Sequence, residues 1–296
     1  MKYATHLTAL AAAACALAAP TAAHAKAIVH YTLNESGGTA VDSIGGVNMN
    51  PINQTAGDYG LSYGLPGVAA GTYGPITITA GQSANFGTAI GGKSQFAGSA
   101  SMTNTTANNA LNTLDGPFTI TAWVNPDTFT TIGRILASQS ITNAGGQKTG
   151  WGFGVLPSGR QRFTTYGVKD FDQSTGASVV VGQWQHVAST YSVAAGTATI
   201  NFYLNGNLVQ TVTGGPFQAT NPTAVFGLLA SGGGTETFPG AIDDVWVYNT
   251  ALSQGDIRLA ATGVEVVPEP ATAGLAGLAT VGLLARRRRW ASSAAS

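Results

Sequence analysis

Apolar residues recur at every second position in a series of short blocks. Phe118, Ile120, Ala122 and Val124 alternate with Thr119, Thr121, Trp123 and Asn125. Trp184, His186, Ala188 and Thr190 alternate with Gln185, Val187, Ser189 and Tyr191, and Ala198, Ile200, Phe202 and Leu204 form a further row. A last block sets Ile242, Asp244, Trp246 and Tyr248 against Asp243, Val245 and Val247. A period of two puts neighbouring side chains on opposite faces of a strand, so each block predicts one. Shorter runs predict strands over 28–33, 76–79, 132–138, 151–156, 162–166 and 224–230.

The segments between these runs carry turn chemistry. Asn205-Gly206 predicts a tight hairpin, because a type I′ turn needs positive φ at both central residues. Ala195-Gly196 and Asp115-Gly116-Pro117 punctuate other junctions, and Ser231-Gly232-Gly233-Gly234 is no strand centre. One short helix is expected near the end, with Ser253 as N-cap, Asp256 three residues on, then Ile257 and Leu259. The pattern predicts an all-β, two-sheet antiparallel β-sandwich with Phe118, Ile120, Val124, Ile200, Phe202 and Val245 buried.

Both chain ends depart from this pattern. At the start, Lys2 precedes an apolar run from Leu7 to Ala19, then Pro20 and the small-x-small site Ala23-His24-Ala25. That order predicts a secretory signal helix over residues 1–25. Cys15, the one cysteine, lies inside it, with Ala12 where a lipid-attachment motif wants a larger aliphatic residue. At the other end come Pro268-Glu269-Pro270, a run of small and apolar residues from Ala271 to Ala285, and Arg286-Arg287-Arg288-Arg289. Such a run would make a helix of about 22 Å, short for a bilayer core of about 30 Å. Bilayer thinning and arginine snorkelling accommodate the difference, and the arginines belong on the cytoplasmic side.

The tripartite tail resembles the PEP-CTERM sorting signal of Gram-negative bacteria. The resemblance implies recognition by an exosortase, a short membrane helix before processing, delivery to the cell surface or extracellular matrix, and an association with exopolysaccharide and biofilm. The domain boundaries expected are 1–25 for the signal peptide, 26–262 for the body and 263–296 for the sorting segment.

Composition narrows the function of the body. Only 9% of the 296 residues are charged, with 13 Lys+Arg against 13 Asp+Glu. Between Lys26 and Val267, eight Lys/Arg face twelve Asp/Glu, so the exported body is mildly acidic. That excludes nucleic-acid binding, which needs a basic face. The absence of cysteine after residue 25 excludes disulfides and thiol chemistry there. A hydrophobic share of 44% is enough for a packed core.

The blocks, taken in order, resemble a family. They are Phe118-Thr-Ile-Thr-Ala-Trp-Val124, Gly133-Arg-Ile-Leu136, Trp151-Gly-Phe-Gly-Val155, Trp184-Gln-His-Val-Ala188, Phe202-Tyr-Leu-Asn-Gly206 and Phe238-Pro-Gly-Ala-Ile-Asp-Asp-Val245. With Tyr31-Thr-Leu-Asn-Glu35 and Asp42-Ser-Ile-Gly45 before them, they look like the LamG-like, concanavalin A-like jelly roll over roughly residues 27–262. The stretch 53–81 departs from the family and reads as an enlarged loop region. The resemblance implies carbohydrate or matrix binding without catalysis.

The residues themselves offer little chemistry. Glutamates occur at 35, 236, 265 and 269, in no glycosidase-like spacing. Asp170 and Asp172 share one side of a strand, but read as a solvated loop end. His186 reads as structural beside Trp184, and no Gly-x-Ser-x-Gly elbow accompanies it. No catalytic residue is expected. Among metals the inventory permits calcium, which takes carboxylate and carbonyl oxygens. The resemblance implies a structural Ca2+ at Asp243, with Asp42 or Glu35 contributing; pairing of Asp243 with an arginine or a backbone N–H is the open alternative. Trp123, Trp151, Trp184 and Trp246 read as packing residues, whereas Tyr59, Tyr63, Tyr73, Phe129 and Phe171 read as loop aromatics free to meet a ligand. Two other functions stay open: a structural matrix protein without a defined ligand, and a glycan-active enzyme.

Overall fold

A computed structural model describes residues 25–52, 61–83, 86, 88–92, 101–106, 109–111, 114–140, 149–216, 225–228 and 236–267. The signal helix, Tyr59, Ser231–Gly234 and the whole sorting motif (Pro268, Glu269, Pro270, Arg286, Arg287, Arg288, Arg289) with its membrane helix lie outside the described residues. Among the described residues no helix is long and apolar enough to cross a membrane.

The strands, in chain order, are β1 (Ala27–Tyr31), β2 (Asn50–Ile52), β3 (Ser62–Pro66), β4 (Gly71–Tyr73), β5 (Ile76–Ile78), β6 (Thr88–Gly92), β7 (Ser101–Asn104), β8 (Phe118–Pro126) and β9 (Gly133–Ser140). They continue with β10 (Thr149–Val155), β11 (Gln161–Thr165), β12 (Lys169–Asp172), β13 (Gln185–Ala194), β14 (Thr197–Leu204), β15 (Asn207–Gly214), β16 (Val225–Leu228) and β17 (Gly240–Tyr248). Two short helices, α1 (Ala80–Ser83) and α2 (Gln254–Ala260), complete the set.

Among the described residues the strands form two large antiparallel sheets and the separate β4–β5 hairpin. The first runs β15-β14-β13-β8-β17-β6-β3, with β1 also paired to β17; the second runs β12-β11-β10-β9-β16-β7-β2. They pack face to face around one core. Phe118, Ile120, Val124, Ile200, Phe202 and Val245 are each fully buried there, as the alternation predicts. Trp151, Phe153, Phe163 and Phe171 meet them from the second sheet. This is the expected all-β jelly-roll sandwich.

Local chemistry accounts for the connections. Asn205 and Gly206 have φ of 48° and 70°, the doubly positive pair that a two-residue turn between β14 and β15 requires. Ala195 and Gly196, at 49° and 74°, close β13 onto β14 in the same way. Ser253 caps α2 through a capping box with Asp256. Ile257 is buried, while Leu259 is exposed.

Three sequence expectations are corrected. The stretch 53–81 is not only loop, because it contains β3, β4 and β5, and β3 extends the first sheet. Phe171 is no loop aromatic but a fully buried residue of β12. In β17 the two-residue period breaks. The register with β8 shifts between Asp243 and Trp246, and Asp244 has φ of 49°. One extra residue at a β-bulge inverts the facing that follows. Ile242 therefore shares the core with Val245 and Val247, whereas Trp246 and Tyr248 face outward.

The outward face of the first sheet is covered around β17 and β8. Trp246, Tyr248, Tyr203 and Ala27 pack against Ile257 and Ala260 of α2 and against Val266. Trp123 packs against Val68, Ile76, Ile78 and Phe86 of the segment around the β4–β5 hairpin. All nine residues of β17 are buried in consequence.

Candidate functional site

The outward face of the second sheet is open, and a cleft of about 400 Å3 lies on it. Beneath the Arg134 and Tyr166 side chains that line it runs β10, whose outward positions Gly152 and Gly154 are themselves buried and flank the core residue Phe153. A Cβ on Gly152 would stand 2.8 Å from Tyr166 Oη and 3.2 Å from Arg134 Nη1. The glycine is thus what lets both side chains lie flat across the strand.

Arg134 is almost fully buried at one wall. Its Nε donates to Glu236 Oε2 at 2.7 Å, its Nη1 to the Gly152 carbonyl at 3.3 Å, and its guanidinium sits 5.6 Å from the centre of the Tyr166 ring. Glu236 also accepts the Arg134 backbone N–H and holds φ of 58°, in the left-handed region that a non-glycine residue occupies at a cost. The Tyr166 hydroxyl is buried with no hydrogen-bond partner, and burial above all pushes its pKa up to about 12. It is a neutral, buried phenol.

The other wall comes from β11 and β12. Phe163 and Phe171 point into the core, so Arg162, Thr164, Asp170 and Asp172 point out. Arg162 binds Asp172 through Nε and Nη2, and its Nη1 lies 2.9 Å from Asp170 Oδ2. The Thr164 hydroxyl donates to Asp170 Oδ1 at 2.7 Å. Asp170 and Asp172 do share a side, as their spacing implies, but on a strand and around a guanidinium rather than at a solvated loop end. Partly exposed pairs of this kind contribute little stability. They do hold donors and acceptors at fixed positions along a groove.

The residues expected to hold calcium lie elsewhere and are not brought together. Both oxygens of Asp42 are filled by backbone N–H groups: Oδ1 by His30 and Ile44, Oδ2 by Gly45 and Val47, at 2.9–3.0 Å. Four donors aimed at one carboxylate make an anion's cradle and leave a cation no ligand. Asp42 thus ties the 43–47 turn to β1, and Glu35 accepts from Val41 N–H.

Asp243 sits on the covered face. Its Oδ2 accepts from Val68 N–H at 3.4 Å, and its Oδ1 is buried without a partner. Burial first, and the neighbouring Asp244 second, raise its pKa well above the usual carboxylate range. Asp244 is committed to His30 Nε2 at 2.8 Å and Trp246 Nε1 at 3.0 Å. Among the described residues no group of three or more His, Cys, Asp or Glu could hold a metal ion.

Histidine and tryptophan fall where packing puts them. His186 is buried edge-on to Trp123 with neither ring nitrogen partnered, and burial pushes its pKa down to about 3. Trp123, Trp151 and Trp246 are buried and Trp184 is half-buried. Tyr73 packs edge-on to Trp123, and Tyr63 and Phe129 pack against the core. None of these lines the cleft. Sequence reasoning missed Arg134, Arg162, Tyr166 and Glu236. The available signal was the Gly-Phe-Gly of 152–154, which leaves an outward strand face without side chains, next to two of the body's few arginines.

Comparison with known proteins agrees with this architecture. The family model described as the concanavalin A-like lectin/glucanases superfamily matches residues 96–258, and a PEP-CTERM protein-sorting motif matches residues 266–289. No curated protein matches the chain. Among solved structures, domain 4 of AbnA, a GH43 extracellular arabinanase from Geobacillus stearothermophilus, in complex with arabinotriose, matches with a TM-score of 0.50 at 19% identity. The match covers 80% of this chain and 98% of that one, and shows a shared fold. The binding domain of botulinum neurotoxin DC, in complex with rat synaptotagmin II, matches at 0.48 and 16% identity over 81% of this chain and 52% of that one. Trypanosoma rangeli sialidase, in complex with 2,3-difluoro-KDN, matches at 0.47 and 14% identity over 78% of this chain and 31% of that one. By its family match, its sandwich and its tail, this chain belongs to the concanavalin A-like lectin/glucanases superfamily and carries a PEP-CTERM protein-sorting motif.

Proposed function

We propose that this is an exported, exosortase-sorted surface or matrix protein whose jelly roll binds carbohydrate without catalysis, through the cleft on the second sheet. Its parts are a signal peptide over 1–25, a binding body over 26–262 and a sorting segment over 263–296. The tail holds the chain in the membrane until an exosortase processes it.

The observation that carries the binding reading is the cleft's lining. Guanidinium, carboxylate, hydroxyl and aromatic groups stand side by side along it. Sugar hydroxyls both donate and accept, so they match such a mixed array better than an apolar ligand would. Both oxygens of Asp170 are engaged, by Thr164 and Arg162, which suits holding a ligand more than moving a proton. An exopolysaccharide or other glycan is the partner class. A second reading, a structural matrix element, is favoured by the closed Arg162–Asp170–Asp172 network, which already satisfies itself.

A glycan array with the wild-type protein and the Arg162→Ser and Tyr166→Phe variants tests this. Binding of an oligosaccharide that falls tenfold or more in Arg162→Ser, about 1.4 kcal/mol, supports the cleft. No bound glycan on a broad array favours the structural reading, and released reducing sugar would instead mark an enzyme.

A further inference from the structure

The exported body ends on its covered face, which fixes how it is held. Residues 261–266 run from α2 along the outside of the first sheet. Val266 is buried in the cluster that contains Ala27, Trp246 and Tyr248, and its N–H lies 3.4 Å from Tyr248 Oη. The other end leaves from the same place. Ala25 packs on that cluster, and Lys26 N–H donates to Asn249 Oδ1 at 2.9 Å. The cleft lies across the whole sandwich from both ends, on the outward face of the second sheet.

The approach to the tail is apolar. Leu259, Val264 and Val267 are 42%, 41% and 71% exposed, three of the chain's exposed large hydrophobics within one short stretch. The charges beside them are few. Arg258 is bound to the Gly206 carbonyl and Asn207, Asp256 belongs to the helix cap, and Glu265 is exposed.

We infer that this face, α2 with the 261–267 strap, rests on the bilayer surface while the tail is in the membrane, so that the cleft is presented outward. The inference rests on the reading that the 271–285 run enters the bilayer. Between Val267 and Ala271 the chain extends at most about 14 Å. Val267 thus stays near the headgroups, and the exposed Val264 and Leu259 that precede it give this end of the body apolar side chains that the interface accommodates. The arginines after the run stay on the cytoplasmic side, so the body sits on the opposite, exported side.

Site-directed labelling of the full chain tests the orientation. With Cys15→Ser removing the native thiol, Val264→Cys on the strap and Val168→Cys in the turn between β11 and β12 each supply one exposed attachment point. Each labelled protein is reconstituted into phosphatidylcholine–phosphatidylglycerol vesicles carrying a nitroxide on the headgroup. Fluorescence at 264 is expected to be quenched more than at 168, since the chain holds the strap within about 14 Å of the membrane segment. Equal or reversed quenching in protein that floats with the vesicles overturns the docked orientation. Protein that does not float overturns the membrane reading of the tail, and the docking with it.

Discussion

The outward faces of the two sheets start from the same alternating pattern and end in opposite states. On the first sheet, α2, the 261–266 strap and the segment around the β4–β5 hairpin bury β17 and its neighbours, including His186, Asp243 and Asp244, while the edge strand β15 stays largely exposed. On the second, Arg162, Asp170, Asp172 and Glu236 keep partly exposed charges along the cleft. The covered face holds polar groups with no partner and pushes their protonation equilibria toward neutral forms. The open face holds polar groups that are nearly all paired with one another, Tyr166 excepted. Stability is concentrated on one side and ligand chemistry on the other.

That contrast is broken most strongly by acid. The pKa of His186 lies at about 3 in the folded protein against 6.5 for an unperturbed ring. A histidine pKa depressed by folding leaves stability intact above pH 6.5 and removes it as the pH falls toward 3. The full loss is roughly 5 kcal/mol for this one group. Urea titrations of wild type and His186→Leu between those limits should show the steeper acid loss in wild type. Parallel curves would mean that the ring is not held neutral.

Truncation comes next. Trp246→Ala removes a buried ring stacked on His30 at 3.4 Å and strips Asp244 of one donor. It should cost about 4 kcal/mol by denaturant midpoint. Thr164→Ala, beside the cleft, loses one hydrogen bond to Asp170 and should cost about 1 kcal/mol. Similar costs for the two would erase the distinction between the faces.

Ser253→Ala opens the capping box of the helix that seals the covered face, at about 1 kcal/mol. The smallest effect expected is that of calcium. An ion at Asp243 present at a hundred times its dissociation constant would add about 2.7 kcal/mol. The geometry of Asp42 and Asp243 predicts equal melting temperatures with excess calcium and with chelator. A calcium-dependent rise that Asp243→Asn abolishes would place the ion at Asp243.

The fold was legible because burial on an inner sheet face leaves a two-residue period. Phe118 to Val124 and Ala198 to Leu204 carry it without interruption. The same logic failed at β17, where a bulge at Asp244 moves Ile242 onto the face of Val245 and no local signal announces the extra residue. It also said little about outer faces. Thr121 and Trp123 look alike as outward positions whether a helix covers them or water does, and that depends on segments far along the chain. The cleft was illegible for a related reason. Arg134, Arg162, Tyr166 and Glu236 come together through the register of four strands and a left-handed residue at 236. Asp42 shows the converse: its Asp-Ser-x-Gly turn was visible, but the four donors that fill the carboxylate were not.

The account turns on which face meets the ligand, and hydrogen exchange read with and without a saturating oligosaccharide from the array reports on both faces at once. It predicts slowed exchange in β11 and β12, over Gln161–Thr165 and Lys169–Asp172, with α2 and the 261–267 strap unchanged. Protection confined to α2 and the strap, or no protection anywhere at saturation, would contradict it.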